Sequence, residues 1–500
     1  MLVKRALAAV LSLGLLTAAT TGQAQTAPAA VGAGGPVAKL AQGPVRGALA
    51  DGAATFLGIP YAAAPVGDLR WRPPAAAPTW RETRDATRPG ANCTQSEDCL
   101  FLNVTRPANA RPGAKLPVMV WIHGGAFVMG NSIGAFGAEH DGAEFARQGV
   151  VTVTLNYRLG RAGWFSHPAL RREGPTGNYG LMDQIAALKW VQANIHAFGG
   201  DPKNVTIFGE SGGAISVLYL MLAPDARGLF HKAISESGFG RHQPVPLAVA
   251  EATAVQLAEK AGVTGDGAEA AAALRRLPLT ALPVSGPLTA PGRPGPILDG
   301  AIIQSGLAEG FAAGRQAKIP LVLGGNSNEA SLFRPQPAQL DLVPEAARPS
   351  LMAAFDPEGT GDRNRIVHRL ATAQFITEPD RNLARLHAKA GAPVWLYHFS
   401  YVTPAERATS LGAAHTAEIK YVFGGAKQKF APEDVPLSKA MNAYWAAFAR
   451  KGDPGHAGGT SWPRFAPKET TLEFGDEGVQ VRERHLAGRL DWVETSLAKR

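Results

Sequence analysis

The chain is 500 residues long, 45% hydrophobic and 18% charged, which excludes disorder as its dominant state because so apolar a chain has ample surface to bury. Two cysteines and glycines without a triplet period exclude disulfide-scaffold and collagen-like classes. Length alone, at ~150 residues per domain, suggests about three domains, and the charge of +9 raises nucleic acid as a partner.

Residues 1–24 read as a signal peptide. Lys4 and Arg5 form a positive start, and Ala6–Ala18 is apolar but too short to span a bilayer. Gly22 and Ala24 place the expected cut after Ala24, and losing Lys4 and Arg5 lowers the charge from +9 to +7. No other segment is apolar enough to span a membrane, so the mature chain is expected to be periplasmic or secreted. The Ala/Gly/Pro-rich stretch Thr26–Pro36 resembles a flexible linker. Cys93 and Cys99 enclose five polar residues, and in an oxidising compartment they are expected to form a disulfide. A metal site needs more ligands than this pair supplies.

Short β-branched runs follow: Val118–Ile122, Val151–Leu155, Val205–Phe208 and Ile319–Leu323, patterned as strands buried on both faces of a mostly parallel sheet. Apolar residues recur at helical spacing over Gly180–Phe198, and Asp201–Pro202 is expected to break the chain before the next strand. This alternation predicts an α/β fold with a large central sheet. Residues 245–315 and 334–390 are rich in Ala, Pro and Gly, lack a strand rhythm, and suit insertions that roof a pocket.

The strongest local signal is a buried strand running into Gly209-Glu-Ser-Gly-Gly213 and then an apolar helix over Ala214–Leu222. This is the setting of a nucleophile elbow, which lifts a serine hydroxyl, here Ser211, above the sheet. His123-Gly-Gly-Ala-Phe127 follows a strand directly and matches an oxyanion loop, assigning the N–H groups of Gly125, Ala126 and Gly212 as donors. Among twelve histidines, His196 falls in a helix and His398 in a strand-like run, Val394–Tyr401, whereas His415 lies in a small-residue loop able to reach over a sheet end. The acid is expected between serine and histidine in chain order, and Glu329, in a loop after a strand, is the best-placed carboxylate.

Taken together, these stretches resemble the type-B carboxylesterases, which include cholinesterases and bacterial esterases on the α/β-hydrolase fold. The resemblance runs nearly end to end, through Phe56–Ala62, Gly67–Trp71, Ser96–Val104, Asn156–Gly160, Gly177–Gln184 and Trp445–Pro454. In that family the acid is a glutamate in a G-x-N-x-x-E setting, matched by Asn326 and Glu329. The histidine lies in a loop like Gly412–His415 followed by Glu418. The resemblance implies one α/β-hydrolase domain over residues 25–500, since Ser211, Glu329 and His415 must meet at a single site. It also implies a serine carboxylesterase acting on small-molecule esters with no metal or cofactor.

Three departures stand out. Gly212 occupies a position usually held by alanine, Ala126 replaces a glycine as in other bacterial members, and the Cys93–Cys99 loop is shorter than the family's first disulfide loop. Glu210 and Ser237 resemble family positions near the active centre, where they either tune the histidine or hydrogen-bond within the core, the structural role being favoured; Arg70 and Glu97 resemble a buried ion pair and are read as supporting the fold. Phe127, Val128 and Met129, with the two insertions, are expected to line the substrate pocket. The oxyanion loop resembles that of relatives accepting tertiary-alcohol esters. Two other readings are a catalytically silent binding or adhesion protein, against which the complete Ser211–Glu329–His415 set argues, and an acyltransferase or amidase on the same triad. Scattered basic residues and no recognition motif speak against nucleic acid. The oligomeric state is not set by any of these patterns.

Overall fold

The computed structural model describes residues 34–498 apart from 287–289 and 291. The expected signal peptide, residues 1–24, and most of the linker lie outside the described residues. Pro36, at the linker's end, already accepts a hydrogen bond from Gly47 N at 2.9 Å.

Eleven strands form the central sheet: β1 Ala48–Ala50, β2 Ala53–Pro60, β3 Phe101–Pro107, β4 Leu116–Ile122, β5 Val151–Leu155, β6 Gly200–Glu210, β7 Lys232–Glu236, β8 Leu321–Asn326, β9 Val394–Phe399, β10 Thr470–Gly475 and β11 Gly478–Glu483. Their spatial order is β11-β10-β9-β8-β7-β6-β4-β5-β3-β2-β1. Pairing is parallel from β10 across to β5, and antiparallel among β5, β3, β2 and β1 and between β10 and β11. The larger helices are α1 Tyr179–Asn194, α2 Gly212–Leu222, α3 Leu247–Lys260, α4 Ala268–Arg276, α5 Arg363–Thr372, α6 Glu378–Lys389, α7 Val435–Lys451 and α8 Ala487–Ala498.

The sheet is buried on both faces because its strands are apolar on both faces. Along β4, Val118, Val120 and Ile122 pack into one core with Leu188, Val191 and Leu218, while Met119 and Trp121 pack into the other with Phe208, Ile234, Trp445 and Phe448. The period of two sorts alternate residues into the two cores, and helices cover each.

Two expected boundaries move. The strand expected at Ile319 begins at Leu321, because Pro320 has no N–H to give a ladder, and it runs on to Asn326. Asp201–Pro202 does not delay β6; pairing with β4 starts at Gly200, slips, and resumes at Val205, so the Asp-Pro step is accommodated as an irregularity.

Cys93 and Cys99 are joined as a disulfide. Glu97, inside that loop, accepts from Arg70 Nε at 2.6 Å, and Arg70 Nη1 donates to Arg275 O at 2.9 Å at the end of α4. The small loop therefore ties the α3–α4 insertion to the body of the sheet. No helix among the described residues is long and apolar enough to cross a membrane.

Candidate active site

Strand β6 ends at Glu210 and α2 starts at Gly212, leaving Ser211 alone in the turn with φ 53° and ψ −118°. A non-glycine residue seldom adopts that conformation, and it persists only where its surroundings impose it. Here the turn is jammed against the end of β4: a Cβ on Gly209 would lie 2.5 Å from Ile122 O, and one on Gly213 1.9 Å from it. Ser211 N donates to Glu236 O at 2.9 Å, fixing the turn to β7 as well.

Glu329 follows β8, and His415 lies in the loop after β9. The two loops are tied by Asn326 Nδ2 donating to Ala414 O (2.8 Å), Asn328 N to Ala413 O (2.8 Å), and His415 N to Ser331 Oγ (2.9 Å). His415 Nδ1 is 2.5 Å from Glu329 Oε2. The other carboxylate oxygen accepts from Ser237 Oγ at 2.5 Å and Asn326 N at 2.6 Å, so the acid is held at both ends. With Nδ1–H donated to Glu329, Nε2 is the ring nitrogen left to accept a proton.

That nitrogen lies 3.0 Å from Glu210 Oε1, in contact but without hydrogen-bond geometry, and no hydrogen bond joins it to Ser211 Oγ. Glu210 and Ser237, for which the sequence favours a structural role, thus both touch the candidate triad, one at each end of the histidine–glutamate pair. Burial raises the Glu210 pKa well above the carboxylate range, and Glu418 and Glu329 add to it against His415. Burial disfavours the charged His415 ring, but the Glu210, Glu329 and Glu418 carboxylates together prevail and hold its pKa at about 9. Glu418, raised to about 7 by burial and the Glu329 charge, is held by Asn326 Nδ2.

The loop expected to receive the oxyanion turns sharply after β4, with positive φ at Gly125 (106°), Ala126 (52°) and Phe127 (63°). Gly212 faces it: a Cβ there would lie 3.4 Å from Ala126 N. Among the described residues the Gly125 and Ala126 N–H groups make no hydrogen bond, and Ala126 shares the cavity wall with Ser211. Tyr157 stacks on His123 with ring centroids 4.5 Å apart and donates its OH to His123 O at 2.8 Å, bracing the loop from behind.

A cavity of about 720 Å³ opens on Ser211, Gly212, Ala126 and Phe127. The same turn that brings Phe127 into it carries the next two residues away: Val128 N and Met129 N both return to Gly125 O, and Met129 is 50% exposed. Val128 and Met129, expected in the pocket, are therefore not among its lining residues. Both insertions do contribute, through residues such as Val249 and Arg293 in one and Phe375 in the other.

Three further groups of lining residues were not expected from the sequence: Phe239 and Arg241 after β7, Phe333 after Glu329, and Val493 and Leu497 on α8. The first two groups follow carboxyl ends of parallel strands, where α/β sheets bind ligands, and that signal was available. Helix α8 carries none; it reaches the cavity because Asp491 and Glu494 pair with Arg381 of α6 at 2.6 and 3.0 Å.

A serine elbow at the carboxyl edge of a parallel sheet, faced by loops from the next strands under a roofed cavity, defines the α/β-hydrolase class. Within it, the profile of the carboxylesterase family matches residues 34–492, and the chain belongs to that family as a carboxylic ester hydrolase. It is 35% identical to fumonisin B1 esterase of Sphingopyxis macrogoltabida, over 85% of this chain and 83% of that one. It is also 35% identical to para-nitrobenzyl esterase of Bacillus subtilis, over 85% and 91% of the two chains. Among solved structures, a Geobacillus stearothermophilus carboxylesterase superposes with a TM-score of 0.78 at 32% identity, covering 91% of this chain and 99% of that one.

Proposed function

We propose that ester hydrolysis proceeds through an acyl-enzyme on Ser211, with His415 as base and Glu329 as its orienting acid. Ser211 Oγ attacks the ester carbonyl as its proton passes to His415 Nε2, and Glu329 stabilises the imidazolium. The N–H groups of Gly125, Ala126 and Gly212 receive the oxyanion. His415 returns the proton to the departing alcohol, and water then repeats both steps to free the acid. The observation that carries this reading is the His415 Nδ1–Glu329 Oε2 contact at 2.5 Å beside the Ser211 elbow. Contact between Ser211 and the histidine is expected to tighten once substrate is bound.

The same reading makes residues 25–500 one exported domain released by cleavage after Ala24, in keeping with the Cys93–Cys99 disulfide. Diethyl p-nitrophenyl phosphate tests the chemistry: one equivalent of nitrophenol should be released, leaving a diethylphosphoryl group that peptide mapping finds on Ser211. Label on another residue, or full esterase activity after labelling, would refute the assignment. N-terminal sequencing of exported protein checks the Ala24 cut.

A further inference from the structure

The cavity over Ser211 is lined mainly by apolar residues, and the only charged side chains on its wall among the described residues are Arg241 and Arg293. They differ in one respect. Arg241 already has its counter-charge: Nε and Nη2 bind the two oxygens of Glu378 at 2.8 and 2.5 Å, and Glu378 is 1% exposed.

Arg293 has none. Among the described residues its hydrogen bond is to Gly286 O at 2.6 Å, and no carboxylate lies within ion-pair distance. Its neighbour Arg161 donates Nη1 to Gly292 O at 2.8 Å, while Arg161 Nε is buried without a partner. Arg161, too, has no carboxylate partner among the described residues. The stretch from Leu277 to Leu298 contains no Asp or Glu at all. Burial, and then the charge of Arg293, lowers Arg161 to about 10, and burial lowers Arg293.

Arg161, with its Nε buried and unpartnered, beside a half-exposed Arg293 and with no anion near either among the described residues, is costly to hold. The backbone is nevertheless fixed to hold them: Gly292 sits at φ 69° against Thr253, and Gly295 packs on Phe127, the last residue of the His123–Phe127 loop. Arg293 is thereby set into the wall of the chamber that Ser211 opens on. An anion arriving with the substrate would relieve the uncompensated charge, and a guanidinium fork suits a carboxylate.

We propose that Arg293 is a specificity residue that receives a free carboxylate carried by the substrate, so that the preferred esters are half-esters of dicarboxylic acids or esters of hydroxy acids. This rests on the Ser211 mechanism proposed above. Arg161 acts as a positioning residue, holding the Gly292 carbonyl and adding its field.

Two substrate pairs matched in chain length test it by pH-stat. Monomethyl adipate against methyl hexanoate places the carboxylate on the acyl side; 5-acetoxypentanoate against pentyl acetate places it on the alcohol side. In at least one pair kcat/KM should favour the carboxylate ester. In Arg293→Gln that preference should fall about tenfold or more, mainly through KM, and Arg293→Lys should recover part of it. The preference in the wild-type enzyme should also weaken as salt is raised.

A ratio unchanged by Arg293→Gln in both pairs overturns the proposal. Failure of the Ser211 mechanism looks different, since both members of each pair would then survive Ser211→Ala. Should Arg293→Gln not fold, inhibition of the wild-type enzyme by hexanoate and its neutral counterpart hexanamide decides: the carboxylate should bind more tightly, and equal inhibition constants overturn the idea.

Discussion

The turn at Gly209–Gly213 and the roof around Arg293, Phe375 and Leu497 border the same cavity, yet they are built under different constraints. At the turn, neighbours in sequence set everything: a buried strand, a serine at φ 53°, and two glycines whose Cβ atoms would strike Ile122 O. The roof gathers residues from both insertions and the C-terminal helix, joined by ion pairs such as Arg381–Asp491 and aromatic contacts such as Phe333–Phe375 at 4.6 Å. A site can thus keep its chemistry on a rigid sheet edge while its selectivity is composed from distant, less regular chain.

If that division holds, substitutions at the sheet edge act on kcat and those in the roof act on KM and substrate choice. The largest effect is expected from Ser211→Ala, a loss on the order of 10⁶ in kcat, with Glu329→Gln costing about 10⁴. Steady-state kinetics on a nitrophenyl ester checks both, and a loss below about tenfold for either would break the comparison at its stronger side.

Glu210→Gln is expected to move the pH profile rather than abolish turnover. In the proposed mechanism His415 serves as base only when neutral, so kcat/KM should rise with pH through its pKa, which the flanking carboxylates hold at about 9. Removing the Glu210 charge takes away one of the influences that raise it, so the rising limb should shift to lower pH. An unmoved limb would show that Glu210 stays protonated throughout and does not compete for the proton on Nε2.

The same contrast explains what could be read from the sequence. The elbow, the sharp His123–Phe127 turn and the β4, β5, β6 and β8 strands were legible because steric need and the period of two leave marks on adjacent residues. Strand β7 was not: KAISE carries Lys232 and Glu236 into a fully buried strand, where Glu236 is paired with Trp445 Nε1 at 2.8 Å, a partner far away in sequence. Glu210 was visible as a residue, but its contact with His415 depends on how the β9 loop folds back. Val128 and Met129 were misplaced because adjacency to Phe127 says nothing of a turn that reverses direction at Gly125. The α8 contribution depends on arginines of α6, and no local pattern announces it.

In the roof, Phe375 offers the next largest effect. It sits on the π-helical turn Ala373–Thr377 between α5 and α6, tilted against Phe333, which in turn meets Phe239 edge-on at 5.8 Å. Phe375→Ala should raise KM for long acyl chains about tenfold relative to acetate while kcat changes little, since truncation removes apolar contact far from the reacting carbonyl. A matching loss in kcat for acetate would mean that the roof positions the catalytic groups, and the division between the two regions would fail.

The smallest effect, and the sharpest check on the sheet-edge side, is expected from Gly212→Ala. Every other glycine flanking Ser211 is hemmed in by backbone, but a Cβ at Gly212 would meet Ala126 N at 3.4 Å and Phe127 N at 3.5 Å, ordinary contact distances. Gly212 begins α2, where alanine lowers the entropy of the unfolded chain and should stabilise the protein by about 0.4–1 kcal/mol in denaturant titration. The N–H donor is kept, so kcat/KM on small esters should remain within about threefold. The added methyl would nevertheless stand against the two amides that edge the oxyanion loop. The loss should therefore grow with the bulk of the alcohol, and tert-butyl acetate should suffer more than n-butyl acetate. Equal losses would place the extra room at Gly212 outside the path of the substrate. A large loss on both would mean that the elbow depends on glycine there for its shape, as it does at Gly209 and Gly213.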